Sequence, residues 1–167
     1  MEIPTLRTER LSLRPHRPDD FEVFAAMSGD IEVMRYIAEV QDRDTAFRSF
    51  CASVGHWSVR GYGVWAVEEI ATGALLGRVG LVRWDGHPAV EVGYALRRTA
   101  WGKGYATEAV RASLGYAHGV VGARGVISLI HPDNTPSIKV AERVGARYDR
   151  EHVVKNQAVR VYLYRDP

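Results

Sequence analysis

The alternation of apolar and polar residues changes period several times along this chain, and each change marks an element. Leu11 and Leu13 alternate with polar neighbours between Arg10 and Arg14, which predicts a first strand. Pro18-Asp19-Asp20 then opens a helix, because proline and acids suit a first helical turn. Phe21, Phe24 and Ala25 lie on one face of it. From about Asp42 to Arg60, the residues Phe47, Phe50, Cys51, Val54 and Trp57 keep helical spacing. The period then drops to two. Gly63 to Glu68 alternates as a strand, Ala71-Thr72-Gly73 turns, and Leu75 to Trp84 is the next strand. Asp85-Gly86 is a hairpin signal, and Ala89 to Leu96 completes an antiparallel meander.

A loop follows, then a helix from about Gly104 to Val120. Its expected buried stripe is Ala106, Ala109, Val110, Ser113, Leu114 and Ala117, mostly small residues that permit close packing. Val126 to Ile130 is an apolar run of strand length. Strand, loop, helix and strand in that order imply a right-handed crossover between parallel strands. A short helix from about Pro136 to Val144 is stopped by Gly145. Strands near Ala146 to Val154 and Ala158 to Tyr164 close the chain. The expectation is one α/β domain of the mixed α+β kind over residues 1–167. Its central sheet is mixed, mostly antiparallel, of about seven strands, with helices on both faces.

The length of 167 residues suffices for one sizeable core, and 46% apolar with 25% charged residues is ordinary for a globular protein. No apolar run approaches the roughly 18 residues that span a bilayer. Met1 to Thr8 lacks the apolar stretch of a signal peptide, so the expected location is the cytoplasm. The single cysteine, Cys51, excludes an internal disulfide and reads as a small buried hydrophobe on a helix. Net charge is +2 and the basic residues are dispersed. The densest group, Arg97-Arg98 and then Lys103, is too short for a nucleic-acid stripe and suits a phosphorylated small molecule. His16, His56, His87, His118, His131 and His152 are scattered, without a metal-ligand spacing, so no metal is expected. Trp57, Trp65, Trp84 and the tyrosines read as core or pocket walls.

The chemistry concentrates in Arg97-Arg98-Thr99-Ala100-Trp101-Gly102-Lys103-Gly104-Tyr105-Ala106-Thr107-Glu108. This segment leaves a strand and enters a helix. A helix N-terminus offers unpaired N–H groups and partial positive charge, and glycines let a ligand approach the backbone. The arrangement suits a pyrophosphate; the alternative is a plain strand-to-helix connection. It is not a P-loop, because Lys103 lies between the glycines, and Thr107 occupies the place of the third small residue of a dinucleotide fingerprint.

The string Trp101 to Ala106 resembles the Gln/Arg-x-x-Gly-x-Gly/Ala signature of the GNAT superfamily of acyl-CoA-dependent N-acyltransferases. The longer string from Val92-Gly93-Tyr94 through Ala109, and the opening Leu6-Arg7-Thr8-Glu9-Arg10-Leu11, look like its ribosomal-protein N-acetyltransferase (RimJ/RimL-like) branch. Trp101 stands where the general signature has Gln or Arg, a familiar choice in that branch. The resemblance implies the acyl-CoA N-acyltransferase fold, with acetyl-CoA as donor substrate. It implies that the backbone of Tyr94, Ala95 and Leu96 pairs with the pantetheine arm. It also implies that Gly102, Lys103, Gly104, Tyr105, Ala106 and Thr107 cradle the pyrophosphate, that Trp101 meets the cofactor through its backbone, and that the strands of residues 89–96 and 126–130 splay around the thioester.

A second segment, Asn134-Thr135-Pro136-Ser137 through Gly145, resembles the family's Asn-x-x-Ala/Ser…Gly motif. Asp133 or Asn134 can cap the helix, and by resemblance Asn134 holds the pantetheine amide. Many members place a tyrosine seven residues after this asparagine as acid to the thiolate, but here that position is Ala141. The branch assigns the role to a serine three residues after the asparagine, which is Ser137. Glu91, a carboxylate in an otherwise apolar strand beside the loop, is the candidate base; a solvent-facing or ion-paired carboxylate is the alternative. The acceptor is an amine, either a protein N-terminal α-amine or a small molecule. A non-catalytic acyl-CoA-binding or regulatory module is the competing expectation. No nucleic-acid or membrane partner is expected, and a homodimer is left open.

Overall fold

The computed structural model describes residues 2–154 and 156–167. Its strands are β1 (Leu6–Arg7), β2 (Leu11–Arg14), β3 (Val64–Glu69), β4 (Leu75–Val82), β5 (Glu91–Leu96), β6 (Ile127–Ile130), β7 (Arg147–Val154) and β8 (Gln157–Leu163). Its helices are α1 (Phe21–Ser28), α2 (Ile31–Met34), α3 (Arg43–Arg60), α4 (Tyr105–Tyr116) and α5 (Thr135–Arg143). All eight strands share one sheet in the order β1-β2-β3-β4-β5-β6-β8-β7. The strand beyond the expected seven is β1, two residues long and too short to show alternation.

Every neighbouring pair is antiparallel except β5 and β6, which run parallel as the crossover through α4 requires. That pair is joined at a single register position, Glu91 with Ile127. Beyond it β5 stays bonded to β4 through Leu96, while β6 is bonded to β8. A wedge therefore opens in the sheet, one side of which is the outer edge of Val92 to Leu96.

The alternation along β5 sends its residues to two different cores. Val92 and Leu96 pack with Ala109, Val110 and Leu114 of α4, in the larger cluster that also holds Trp57, Trp65, Val67, Val79 and Leu81. Ala95 packs on the other face with Met27 of α1 and Val33 of α2. Helices thus cover both faces. The α4 stripe is as expected, except that Tyr105 is buried where Ala106 is half-buried. The helix turns α-helically only to Tyr116, and then widens into a π turn over Ala117–Val121 before Gly122.

The α3 stripe differs from expectation. Its buried residues are Ala46, Phe50, Ser53, His56 and Trp57. Cys51 is exposed rather than buried, and Phe47 and Val54 also face outward. Apolar residues occupy more of this helix's circumference than the sheet can cover, so the sheet selects the arc. Phe47 is still partnered, edge-on to Phe21 with ring centroids 5.1 Å apart.

A charged cluster ties α1 to the sheet. Arg14 is buried on β2 and donates to both oxygens of Asp20 at 2.7 and 2.9 Å, and to Glu68 at 2.6 Å. Burying such ions is costly unless all are paired. Burial would raise the Asp20 carboxyl, but the Arg14 bonds and the Arg17 amide hold it below its ordinary value. Beside it His16 is enclosed by Phe24 and Phe50, and neither ring nitrogen has a hydrogen-bond partner. Burial lowers its pKa to about 4.

A histidine with a depressed folded-state pKa stabilises the fold in full above its unfolded value, roughly 6.5, and loses that contribution as pH falls toward the folded value. His16 should therefore cost the protein up to ~3 kcal/mol between pH 6.5 and 4. His16→Phe should flatten the fall in stability across that window, measured by urea denaturation. An unaltered pH dependence in the variant would show that His16 is not buried neutral.

Candidate active site

The loop from Leu96 to α4 is shaped by its glycines. Gly102 and Gly104 have φ of +74° and +82°, a region costly for residues with a Cβ. The first helical hydrogen bond of α4 runs from the Glu108 amide to the Gly104 carbonyl at 3.1 Å. The amides of Tyr105, Ala106 and Thr107 precede it and have no helical acceptor. They point out of the helix start at the end of the β5–β6 wedge. Lys103 is exposed there. Trp101 folds back, its indole N–H donating to the Leu96 carbonyl at 2.8 Å, which closes the end of β5. Arg98 forms an ion pair with Asp30 at 2.9 Å, so it braces the loop against the start of α2 and does not add free charge to it.

The N-terminal segment holds this helix start from outside. Glu108 accepts from Thr8 Oγ1 at 2.6 Å, from the Arg10 amide at 2.9 Å and from Arg10 Nε at 2.7 Å. Arg10 also donates to the Lys103 carbonyl at 2.9 Å and lies 4.6 Å from the Tyr105 ring centroid. Burial would raise the Glu108 carboxyl, but the Thr8 and Arg10 bonds outweigh it and hold Glu108 ionised to lower pH. Tyr105 in turn donates to Glu69 at the end of β3. The opening and loop motifs are therefore one physical unit. No side-chain role for Thr8, Arg10 or Glu108 was visible in the sequence, because the partners lie about a hundred residues apart.

The wedge carries polar groups on both faces of β5. Glu91 is half-buried on the α1 and α2 face. One of its oxygens lies 3.7 Å from where a Cβ on Gly93 would stand, so the missing side chain leaves room beside the carboxylate. His87 Nδ1 approaches Glu91 at 3.2 Å, without hydrogen-bond geometry. On the opposite face the Tyr94 hydroxyl donates to Ser137 Oγ at 2.9 Å. Asn134 caps α5 by accepting from the Ser137 amide at 3.3 Å, which spends its oxygen and leaves its amide NH2. Ser128 Oγ donates to the Val92 carbonyl at 2.7 Å, and a hydroxyl–hydroxyl contact of 3.0 Å joins it to Tyr164. Burial, only partly opposed by the Ser128 bond, raises Tyr164 to about 12. Across the mouth Tyr36 stacks on His131, with centroids 5.2 Å apart. The structure thus brings Tyr94, Ser137 and Asn134 together on one face of β5, and it sets Glu91 on the other face, at the paired end of the strand rather than beside the glycine loop. It adds His87, Ser128 and Tyr164, which no spacing in the sequence had marked.

A single mixed sheet covered by helices on both faces, with this glycine-opened helix start, places the chain among the acetyltransferase folds. The acetyltransferase (GNAT) domain family matches residues 10–147. The uncharacterized protein YkkB of Bacillus subtilis is 34% identical over 165 residues, covering 94% of this chain and 93% of its own length. An acetyltransferase from Agrobacterium tumefaciens is 30% identical, with a TM-score of 0.90 over 99% of this chain and 96% of that one. RimL, a ribosomal L7/L12 alpha-N-protein acetyltransferase solved with coenzyme A, shares the fold at a TM-score of 0.79 and 14% identity, covering 96% of this chain and 97% of its own. The chain belongs to the GNAT family and is an N-acetyltransferase.

Glu108→Ala should destabilise the fold by about 1–3 kcal/mol, since it leaves Thr8 and Arg10 without their shared acceptor. Urea denaturation measures this. An unchanged midpoint would mean that the N-terminal segment does not hold the helix start.

Proposed function

We propose that this enzyme transfers acetyl from acetyl-CoA directly to a primary amine, either a protein N-terminal α-amine or that of a small molecule. The observation that carries the reading is the single β5–β6 register pair, with the open amides of α4 at the end of the wedge. The residues suit the donor. The amides from Gly102 to Thr107, with Lys103, form a nest for a diphosphate. Trp101 fixes the strand end from which that nest begins. The main chain of Tyr94, Ala95 and Leu96 has no strand partner on the wedge side, so a pantetheine arm can add there as a strand does. The amide NH2 of Asn134 faces a role in holding that arm once its oxygen has capped α5.

Only a free amine attacks a thioester. Glu91 takes a proton from the incoming ammonium, directly or through water, and Ser137 supplies one to the departing thiolate. Odd and even positions of β5 point to opposite faces, so base and donor stand on opposite sides of the thioester. The amine then enters from the α1 and α2 face, and the thiolate leaves toward α5. Holding both reactants in the wedge supplies much of the acceleration. No helix among the described residues is long and apolar enough to cross a membrane. A cytoplasmic location and the ribosomal-protein branch go with this reading. In this reading the acceptor pocket belongs to the N-terminal helices and the β7–β8 hairpin.

Coenzyme A should raise the melting temperature, and acetyl-CoA should release free thiol with at least one member of a primary-amine panel. Glu91→Gln should lower kcat about 100-fold or more and remove the acid limb of the pH–rate profile. A retained acid limb would take the base role from Glu91; failure of coenzyme A to bind would overturn the reading as a whole.

A further inference from the structure

An aliphatic hydroxyl alone is badly matched to a thiolate. It is about as weak an acid as water, and far weaker than a thiol. Giving up the serine proton with nothing behind it would leave an alkoxide in a half-buried site. A phenol, near ~10, is far closer to the thiol. The structure places one against the serine: Tyr94 is half-buried on the α4 and α5 face of β5, and its hydroxyl donates to Ser137 Oγ at 2.9 Å. With that bond made, the serine oxygen is an acceptor from Tyr94, and its own proton is the one free to point into the wedge.

Resting on the acetyl-transfer reading, we infer that Tyr94 is the positioning residue behind Ser137 and the origin of the proton that reaches the thiolate. As the C–S bond breaks, its electron pair goes to sulfur. The Ser137 proton moves to sulfur while the Tyr94 proton moves to Ser137 Oγ. Serine ends neutral, the thiol ends neutral, and the charge resides on the Tyr94 oxygen. That oxygen regains a proton from water when the products leave. Burial, only partly offset by the Ser137 bond, raises the Tyr94 phenol; the shift keeps it protonated between turnovers and works against donation, so its proton moves only as the thiolate forms against Ser137. Ala141 leaves no hydroxyl at the corresponding place on α5, and is itself buried. The phenol thus enters from the strand rather than from the helix.

The test uses acetyl-CoA and the fastest acceptor from a panel of alanyl peptide, seryl peptide and small primary amines. Tyr94→Phe keeps the ring and the backbone that faces the wedge. It should lower the single-turnover rate roughly 10- to 100-fold with little change in coenzyme A affinity. The double variant with Ser137→Ala should be no slower than the slower single variant. In mixtures of light and heavy water, the wild-type rate should curve with deuterium fraction, as two protons in flight require, and become linear in Tyr94→Phe. A wild-type plot that is linear, or a Tyr94→Phe rate equal to wild type, overturns this inference while leaving acetyl transfer intact. The wild-type plot decides alone if the variant does not fold. No transfer to any amine by the wild type would overturn both.

Discussion

The parting of two parallel strands is the constraint on which the site depends. A parallel pair normally bonds along its length, and each unpaired backbone group left inside costs free energy. Here β5 and β6 meet only at Glu91 and Ile127. Part of the deficit is met by a side chain, since Ser128 donates to the Val92 carbonyl where a strand amide is lacking. Further along, the Trp101 indole takes the Leu96 carbonyl, and the Tyr94 main chain between these two carbonyls has no strand partner on this side. The fold holds this edge open because β4 grips β5 on one side and β8 grips β6 on the other.

The helix start is the second half of the same device. Positive φ at Gly102 and Gly104 turns the chain so that several amides face one way before the first helical bond forms. Glu108 sits in that first turn, where its charge suits the helix dipole, and converts this into an anchorage for Thr8 and Arg10. The residues after the short strand β1 thus hold the helix start from outside. The ion cluster of Arg14, Asp20 and Glu68 does the equivalent on the other face, fixing the start of α1 against β2 and β3.

That Glu91 and Tyr94 lie on opposite faces of one strand follows from the period of two. It also keeps the Glu91 carboxylate apart from the Tyr94 and Ser137 hydroxyls. His87 lies beside Glu91 four residues back along the chain, and Tyr164, from the chain's end, joins Ser128 in a separate hydroxyl pair.

Local chemistry alone determined much of this protein. Alternation marked β3 to β5, the apolar run marked β6, and the glycines marked the turn into α4, because each signal lies within a few neighbouring residues. The family's loop and asparagine motifs were legible for the same reason. Tertiary structure decided what depends on long-range geometry. It chose which arc of α3 to bury, turning Cys51 and Phe47 outward, and it paired Thr8 and Arg10 with Glu108. It set the Tyr94 phenol on Ser137, a contact spanning 43 residues. No periodicity in a single chain encodes such distances; they exist only once the sheet has brought its strands together.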